Sequence, residues 1–384
     1  MSPGAAALVL AAAVGGTVEI SDRVEARVRD TYDVSGVVID TETAAEVKLT
    51  LRRRPCELLV DYSPRFTLRQ VDVAPEPDIL QQGRVAASWH DRRSSVSVYQ
   101  SGGYGRQSTA AIASDSSATP GATQIDSLPE AEVIEYVSSQ TGLTGTFAAS
   151  RRWDINVLLE YTLNGGAGAR SQEVIPFEAA LRGGVGTEYK ASRRDWIGPT
   201  VEASRAVFSS GWDDSLILAR GSWRHAVRRN TTMVLAGGTG WFASRNATEP
   251  SDSSLAPIVE AGISHVADAG LVDLELFARL SPVIDRVSGR VDERLESTAS
   301  VTWNATRALG MQANLGVAQS VAWSGADAIT LVYDTATVLY RVSRTLRLHT
   351  GVWSGWMTTR GSDGPPLQWT VSLGATFTTS VIPF

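Results

Sequence analysis

The chain has 384 residues, a formal net charge of −6 and 43% hydrophobic residues. Its mean hydropathy is near zero, and its one long apolar run, Ala5 to Val14, is too short to cross a bilayer as a helix, which excludes a helical membrane protein. Only Lys48 and Lys190 are lysines and no basic patch is interleaved with aromatics, so nucleic acid is excluded as a partner.

The run Ala5–Ala13 reads as the core of a secretory signal peptide, with Ala11, Ala12 and Ala13 as the small-residue cleavage site. Residues 1–13 are therefore expected to stand outside the fold, and 17–384 to form a single domain. Cys56 is the one cysteine; it cannot form an internal bridge and reads as a structural thiol.

From residue 17 onward the pattern has period two. In 155–164, Ile155, Val157, Leu159, Tyr161 and Leu163 share one face, and Asn156, Glu160, Thr162 and Asn164 share the other. In 309–321, Leu309, Met311, Ala313, Leu315 and Val317 oppose Gly310, Gln312, Asn314 and Gly316. Strands are predicted at 17–30, 44–52, 57–70, 83–91, 94–103, 136–150, 154–165, 175–191, 197–209, 214–227, 231–244, 256–267, 271–284, 292–304, 308–322, 327–342, 345–360 and 367–379. Many exceed the roughly 5–6 residues usual in soluble sheets, and suit a tilted bilayer crossing, which takes about 9–11. A bilayer forbids open sheet edges, so the sheet must close. The expected fold is all-β: a transmembrane antiparallel up-and-down barrel of about 18 strands, with 16 as the alternative.

Short links carrying arginine recur between these strands. They hold Arg53, Arg93, Arg152, Arg194, Arg229, Arg307 and Arg344. All fall at one end of the predicted barrel, joined there by the equally short 267–270 and by both termini. The opposite links, such as 70–82, 165–173, 245–255 and 360–366, are longer and rich in Ser, Gly, Pro and Asp. Short turns belong on the periplasmic side and long loops outside, so the arginines form a periplasmic rim. The longest link, near 105–135, holds Leu128–Tyr136, which could form a short helix, and reads either as a segment folded into the barrel or as a mobile surface loop. Of the 11 tryptophans, Trp89, Trp153, Trp196, Trp223, Trp303 and Trp369 sit at predicted strand ends, as the aromatic girdles of a barrel would.

The face opposite the apolar one is expected to line a pore. It carries Glu46, Lys48, Asp61, Arg65, Glu160, Glu178, Arg182, Glu188, Glu260, Asp273, Glu275, Arg279, Arg294 and Glu296. Both signs hydrate a channel without strong ion selectivity; Glu–Arg ladders would equally brace a barrel. No inward run of aromatics for sugars is evident. His90, His225, His265 and His349 fall on strands spread around the wall, so no catalytic constellation is expected, nor any cofactor or metal.

In the last strand Ser372, Gly374 and Phe377, with the terminal Phe384, resemble the closing-strand signal read by the barrel assembly machinery. Together, the strand rhythm, turn asymmetry and this ending resemble the bacterial outer-membrane porin class over nearly the whole chain. Length, strand number and the absence of a plug domain resemble, more narrowly, the porins of surface-polysaccharide export. That likeness implies a Gram-negative outer membrane, contact with its lipids, an aqueous channel and a periplasmic polysaccharide-export protein as partner. A general diffusion porin and a non-conducting barrel anchoring a surface or motility complex are the alternatives.

Overall fold

In a computed structural model of the chain, residues 16–30, 37–70, 76–108, 133–246, 252–267, 270–285, 290–321, 329–359 and 368–383 are described. The strands are β1 (Gly16–Asp30), β2 (Val37–Arg53), β3 (Cys56–Tyr62), β4 (Arg65–Gln70), β5 (Glu76–His90), β6 (Ser94–Ser108), β7 (Val133–Ala148), β8 (Trp153–Gly166), β9 (Glu178–Lys190) and β10 (Asp195–Phe208). There follow β11 (Trp212–Arg228), β12 (Thr231–Asn246), β13 (Asp252–Ala267), β14 (Val272–Asp285), β15 (Arg290–Trp303), β16 (Leu309–Ser320), β17 (Ile329–Arg341), β18 (Leu346–Thr359) and β19 (Gln368–Pro383). A short helix α1 (Ala169–Val174) lies between β8 and β9.

Apart from β3 and β4, each strand pairs antiparallel with its chain neighbours, and β1 also pairs with β19 from Thr17↔Pro383 to Arg29↔Thr370. The sheet is thus closed and has no edge for another chain to extend. β3 and β4 are two halves of one wall position, since both pair with β2 and both with β5. Pro64, which has no N–H to give the ladder, interrupts that position; Ser63 N still donates to Gln82 O at 2.9 Å and Ala45 N to Pro64 O at 3.2 Å. The wall is therefore an 18-strand antiparallel barrel, as expected. Two strands start well before the sequence boundary: β2 at Val37 and β5 at Glu76. Their early outward positions include Ile39 and Ile79, but these stand alone among Thr41, Thr43, Pro77 and Gln81, so too few large apolar residues recur to display the alternation. Residues 1–13, Phe384 and 109–132 of the long link lie outside the described residues; of the helix suggested there, Val133–Tyr136 is strand.

Four of the seven arginine links share one construction. A Ser or Thr opens the turn and its side-chain oxygen accepts the backbone N–H two residues on: Ser150 from Arg152, Ser192 from Arg194, Thr306 from Ala308 and Ser343 from Thr345, at 3.0–3.1 Å. Such hydroxyl-capped turns fix the backbone locally and leave the arginine side chain in solvent. The seven rim arginines are all exposed.

The apolar side chains of each strand face outward, where Val24, Leu159, Leu181, Val259, Leu276, Leu315 and Leu373 remain broadly exposed. A soluble protein would bury these; a barrel presents them to lipid. Trp89, Trp153, Trp223 and Trp303 sit on this outer face near the short turns, and Trp241, Trp356 and Trp369 near the long links, giving two girdles at opposite ends of the wall. Trp153 stacks on Tyr189 at 4.8 Å between ring centres. Trp196 departs from the expected girdle. Strand phase turns it inward, with Lys190 Nζ 5.8 Å and the Arg224 guanidinium 4.7 Å from its ring.

Candidate functional site: the barrel interior

All fourteen charged residues picked out by phase lie on the inner face: Glu46 and Lys48 on β2, Asp61 on β3, Arg65 on β4, Glu160 on β8, Glu178, Arg182 and Glu188 on β9, Glu260 on β13, Asp273, Glu275 and Arg279 on β14, and Arg294 and Glu296 on β15. Some of them, with the inward Glu202 on β10 and Arg220 on β11, join into a ladder of alternating sign that runs around the wall from β9 to β15. Arg182 pairs with Glu202 at 2.5 Å, Arg220 with the same carboxylate at 3.2 Å and also with Glu260. Glu260 stands opposite Arg279 in register; Arg279 pairs with Glu296 at 2.5 Å, and Arg294 with Glu296 at 3.1 Å. Each charge has an opposite one beside it, so the ladder contributes little net field.

A second ionic cluster was not among the expected site residues. Arg27 on β1 pairs with Glu25 and with Glu42 on β2, each at 2.9 Å, and Arg23 pairs with Glu42. His349 on β18 reaches Glu25 with its Nε2 at 3.4 Å. The phase of β1 (Glu19, Ser21, Arg23, Glu25 and Arg27 against Ile20, Val24, Ala26 and Val28) carries this signal.

Several inward rings are laid over glycines, three of them on the neighbouring strand and one, Trp353 over Gly355, on its own strand. Tyr99 on β6 lies over Gly142 on β7, which stands in register with both Tyr99 and Glu160 on β8, and its hydroxyl donates to Glu160 at 2.7 Å. His349 likewise lies over Gly374 on the way to Glu25; that glycine faces both residues in register. Tyr333 lies over Gly316, and Trp353 over Gly355. A Cβ at Gly142, Gly316 or Gly374 would fall within the ring above it. The glycines therefore admit a side chain lying flat along the wall, and Gly142 and Gly374 let Tyr99 and His349 reach across to bind strands two apart.

Two segments from the long-link end fold inside. Pairing of β13 with β14 ends at Val259↔Leu280, and β15 meets β16 only from Arg294↔Ser320. The freed hairpin tip bends onto the inner face of β11 and β12, where Pro282 packs on Gly240. Ile284 joins Phe208, Leu216, Leu218 and Ile258 in an apolar cluster, with Leu216 1% and Ile258 and Ile284 each 2% exposed. Fully burying an aliphatic side chain of this size is worth roughly 1.5–3 kcal/mol, so the tip is anchored rather than loose. The second segment carries α1. Ile175 behind it packs on Ile134 and Tyr136; Ala167 N donates to Glu135 O at 2.8 Å, and Glu135 N to Ser171 Oγ at 3.2 Å.

Of the closing-strand residues, Ser372 and Gly374 face inward and Phe377 outward, on the strand that pairs with β1 to close the ring. The three histidines other than His90 have separate partners: His225 bonds Asp195 at 2.7 Å, His265 bonds Thr231 at 2.8 Å and His349 meets Glu25.

The architecture has counterparts among solved outer-membrane channels. The BenF-like porin from Pseudomonas fluorescens Pf-5 superposes with a TM-score of 0.52 at 10% identity, over 95% of this chain and 98% of that one. Pseudomonas aeruginosa OccK2 (OpdF), solved in complex with glucuronate, superposes with a TM-score of 0.50 at 10% identity, over 95% and 98%. At such identity the likeness is one of fold. Comparison with curated protein sequences finds no match. A family model does match, over residues 6–382, and so this outer-membrane, porin-like barrel belongs to the EpsX exopolysaccharide export family.

Proposed function

We propose that the barrel is the conduit through which an exopolysaccharide leaves the cell, handed over in the periplasm by a polysaccharide-export protein seated on the arginine rim. The family match across the barrel carries this reading. The geometry supports it: 18 strands enclose enough space for an aqueous lumen, and the fourteen inward charges together with Ser, Thr, Asn and Gln make its wall wettable. The rim supports a docking role, because seven exposed arginines at one end steer an acidic surface toward that mouth. Outer-membrane lipids meet the apolar band, and the barrel assembly machinery reads Ser372, Gly374 and Phe377. The channel reading needs no catalytic group. Cells deprived of this chain should stop displaying surface polysaccharide and regain it with the wild-type gene. Changing Arg93, Arg152, Arg194 and Arg229 together to Glu should abolish export while the purified barrel conducts as before. Full export by that variant would remove the docking role.

A second reading is a non-conducting barrel that anchors a surface complex. The hairpin tip packed against β11 and β12 favours it, and persistent electrical silence of the folded barrel would select it.

A further inference from the structure

The charge on the inner wall is unevenly distributed. The ladder occupies β9 to β15 and the second cluster β1, β2 and the His349 position. Along β16 to β19, the described inward residues other than His349 are uncharged until Arg341 and Arg347 at the short-turn mouth. This arc presents hydroxyls, amides and rings instead. Trp353 on β18 faces the lumen, since its neighbours Val352 and Trp356 face lipid. In register it is flanked by Thr335 on β17 and Thr370 on β19. Its ring lies over Gly355, which stands opposite Tyr333, whose own ring lies over Gly316. Asn314 donates to Thr335 Oγ1 at 2.9 Å, leaving its own oxygen free to accept, and Gln312 on the same strand is exposed to the lumen.

We propose that this arc, centred on Trp353 and Tyr333 between Thr335 and Thr370, is a carbohydrate track that holds a chain of uncharged sugar units. The inference rests on the conduit reading above and names its substrate class. A sugar ring has an apolar C–H face and a rim of hydroxyls that both donate and accept. An aromatic ring lying along the wall offers the first a stacking surface, and Thr, Asn and Gln match the second. A fixed, unpaired carboxylate or guanidinium would bind one polymer repeat too tightly for it to move on. The arc's own strands turn neither inward between the mouth and the upper part, and the ladder charges nearest Tyr333, Glu296 and Arg294, are paired with each other at 3.1 Å. The hairpin tip leans on β11 and β12, across from this side of the lumen. An anionic glycan would instead be drawn to the arginines of the ladder and the rim.

The test is single-channel recording of the purified barrel with a dextran oligosaccharide or an oligogalacturonate of equal length added. Dextran should interrupt the current at lower concentration than the uronate. Trp353→Ala should weaken the dextran block about 3- to 10-fold, the worth of one aromatic stack, and Trp353→Phe should retain most of it. Thr335→Val with Thr370→Val, which keeps the wall's volume, should also weaken it. Equal block by all variants, or stronger block by the uronate, overturns the track and leaves the conduit standing. A silent membrane would instead overturn the conduit. Calorimetric titration of the detergent-solubilised barrel with dextran then decides the track: heat from wild type that is lost in Trp353→Ala supports it, and no heat from wild type overturns it.

Discussion

Gly142 shows how a single side chain is chosen by its neighbours two strands away. It sits in register between Tyr99 and Glu160, and the Tyr99 ring fills the space above it. Any Cβ there must displace the ring and break its bond to Glu160. Gly142→Ala should therefore destabilise the barrel by about 1–3 kcal/mol, the cost of overpacking. Gly221, where a Cβ would meet nothing within 4 Å, is the control, and Gly221→Ala should fall within about 0.5 kcal/mol of wild type. The temperature at which the compact band converts to the unfolded one on a gel separates the two; equal temperatures would contradict the strut. Glu296 makes the same point with charge. It receives both Arg279, 3% exposed, and Arg294, 9% exposed. Glu296→Gln removes the charge facing two buried guanidiniums and should cost about 3–5 kcal/mol. Arg279→Met leaves Glu296 its second partner and should cost less. Denaturant unfolding of the two variants gives the order, and the reverse order would contradict the ladder.

At the scale of elements, most of the wall is legible in the sequence because a strand facing lipid on one side and water on the other must alternate. β8 and β16 display this with large side chains outward, and their expected and observed spans nearly coincide. The early part of β2 is hidden from such a reading, since its outward Thr41 and Thr43 do not contrast with Asp40 and Glu42. The inward charges follow from the same phase. Trp353 and Tyr333 escape it as inward aromatics, because two isolated rings within β18 and β17 make no run that the sequence pattern displays. The hairpin tip is hidden for a different reason: alternation breaks down over Ser281–Asp285, where every residue is buried, and only tertiary packing decides which way such a segment bends. Removing the tip of β14 and β15 beyond Ser281 and Arg294 should raise single-channel conductance, because the segment occupies lumen beside β11 and β12. Unchanged conductance would place the narrowest point elsewhere.

The whole molecule is a closed wall with two unlike ends: short arginine turns on one, longer links on the other. Cys56 is exposed beside the first arginine turn and gives a direct reading of orientation. A polymer-linked maleimide, too bulky to pass a pore, should leave Cys56 unmodified on intact cells and label it once the outer membrane is permeabilised. Labelling of intact cells would invert the barrel and remove the arginine rim from the periplasm. That this wall encloses a water-filled path is tested most directly by single-channel conductance of the purified, heat-modifiable barrel in a planar bilayer. Steady openings with weak preference between cations and anions are expected, as the balanced inner ladder requires. Persistent silence from correctly folded protein would contradict the water-filled path.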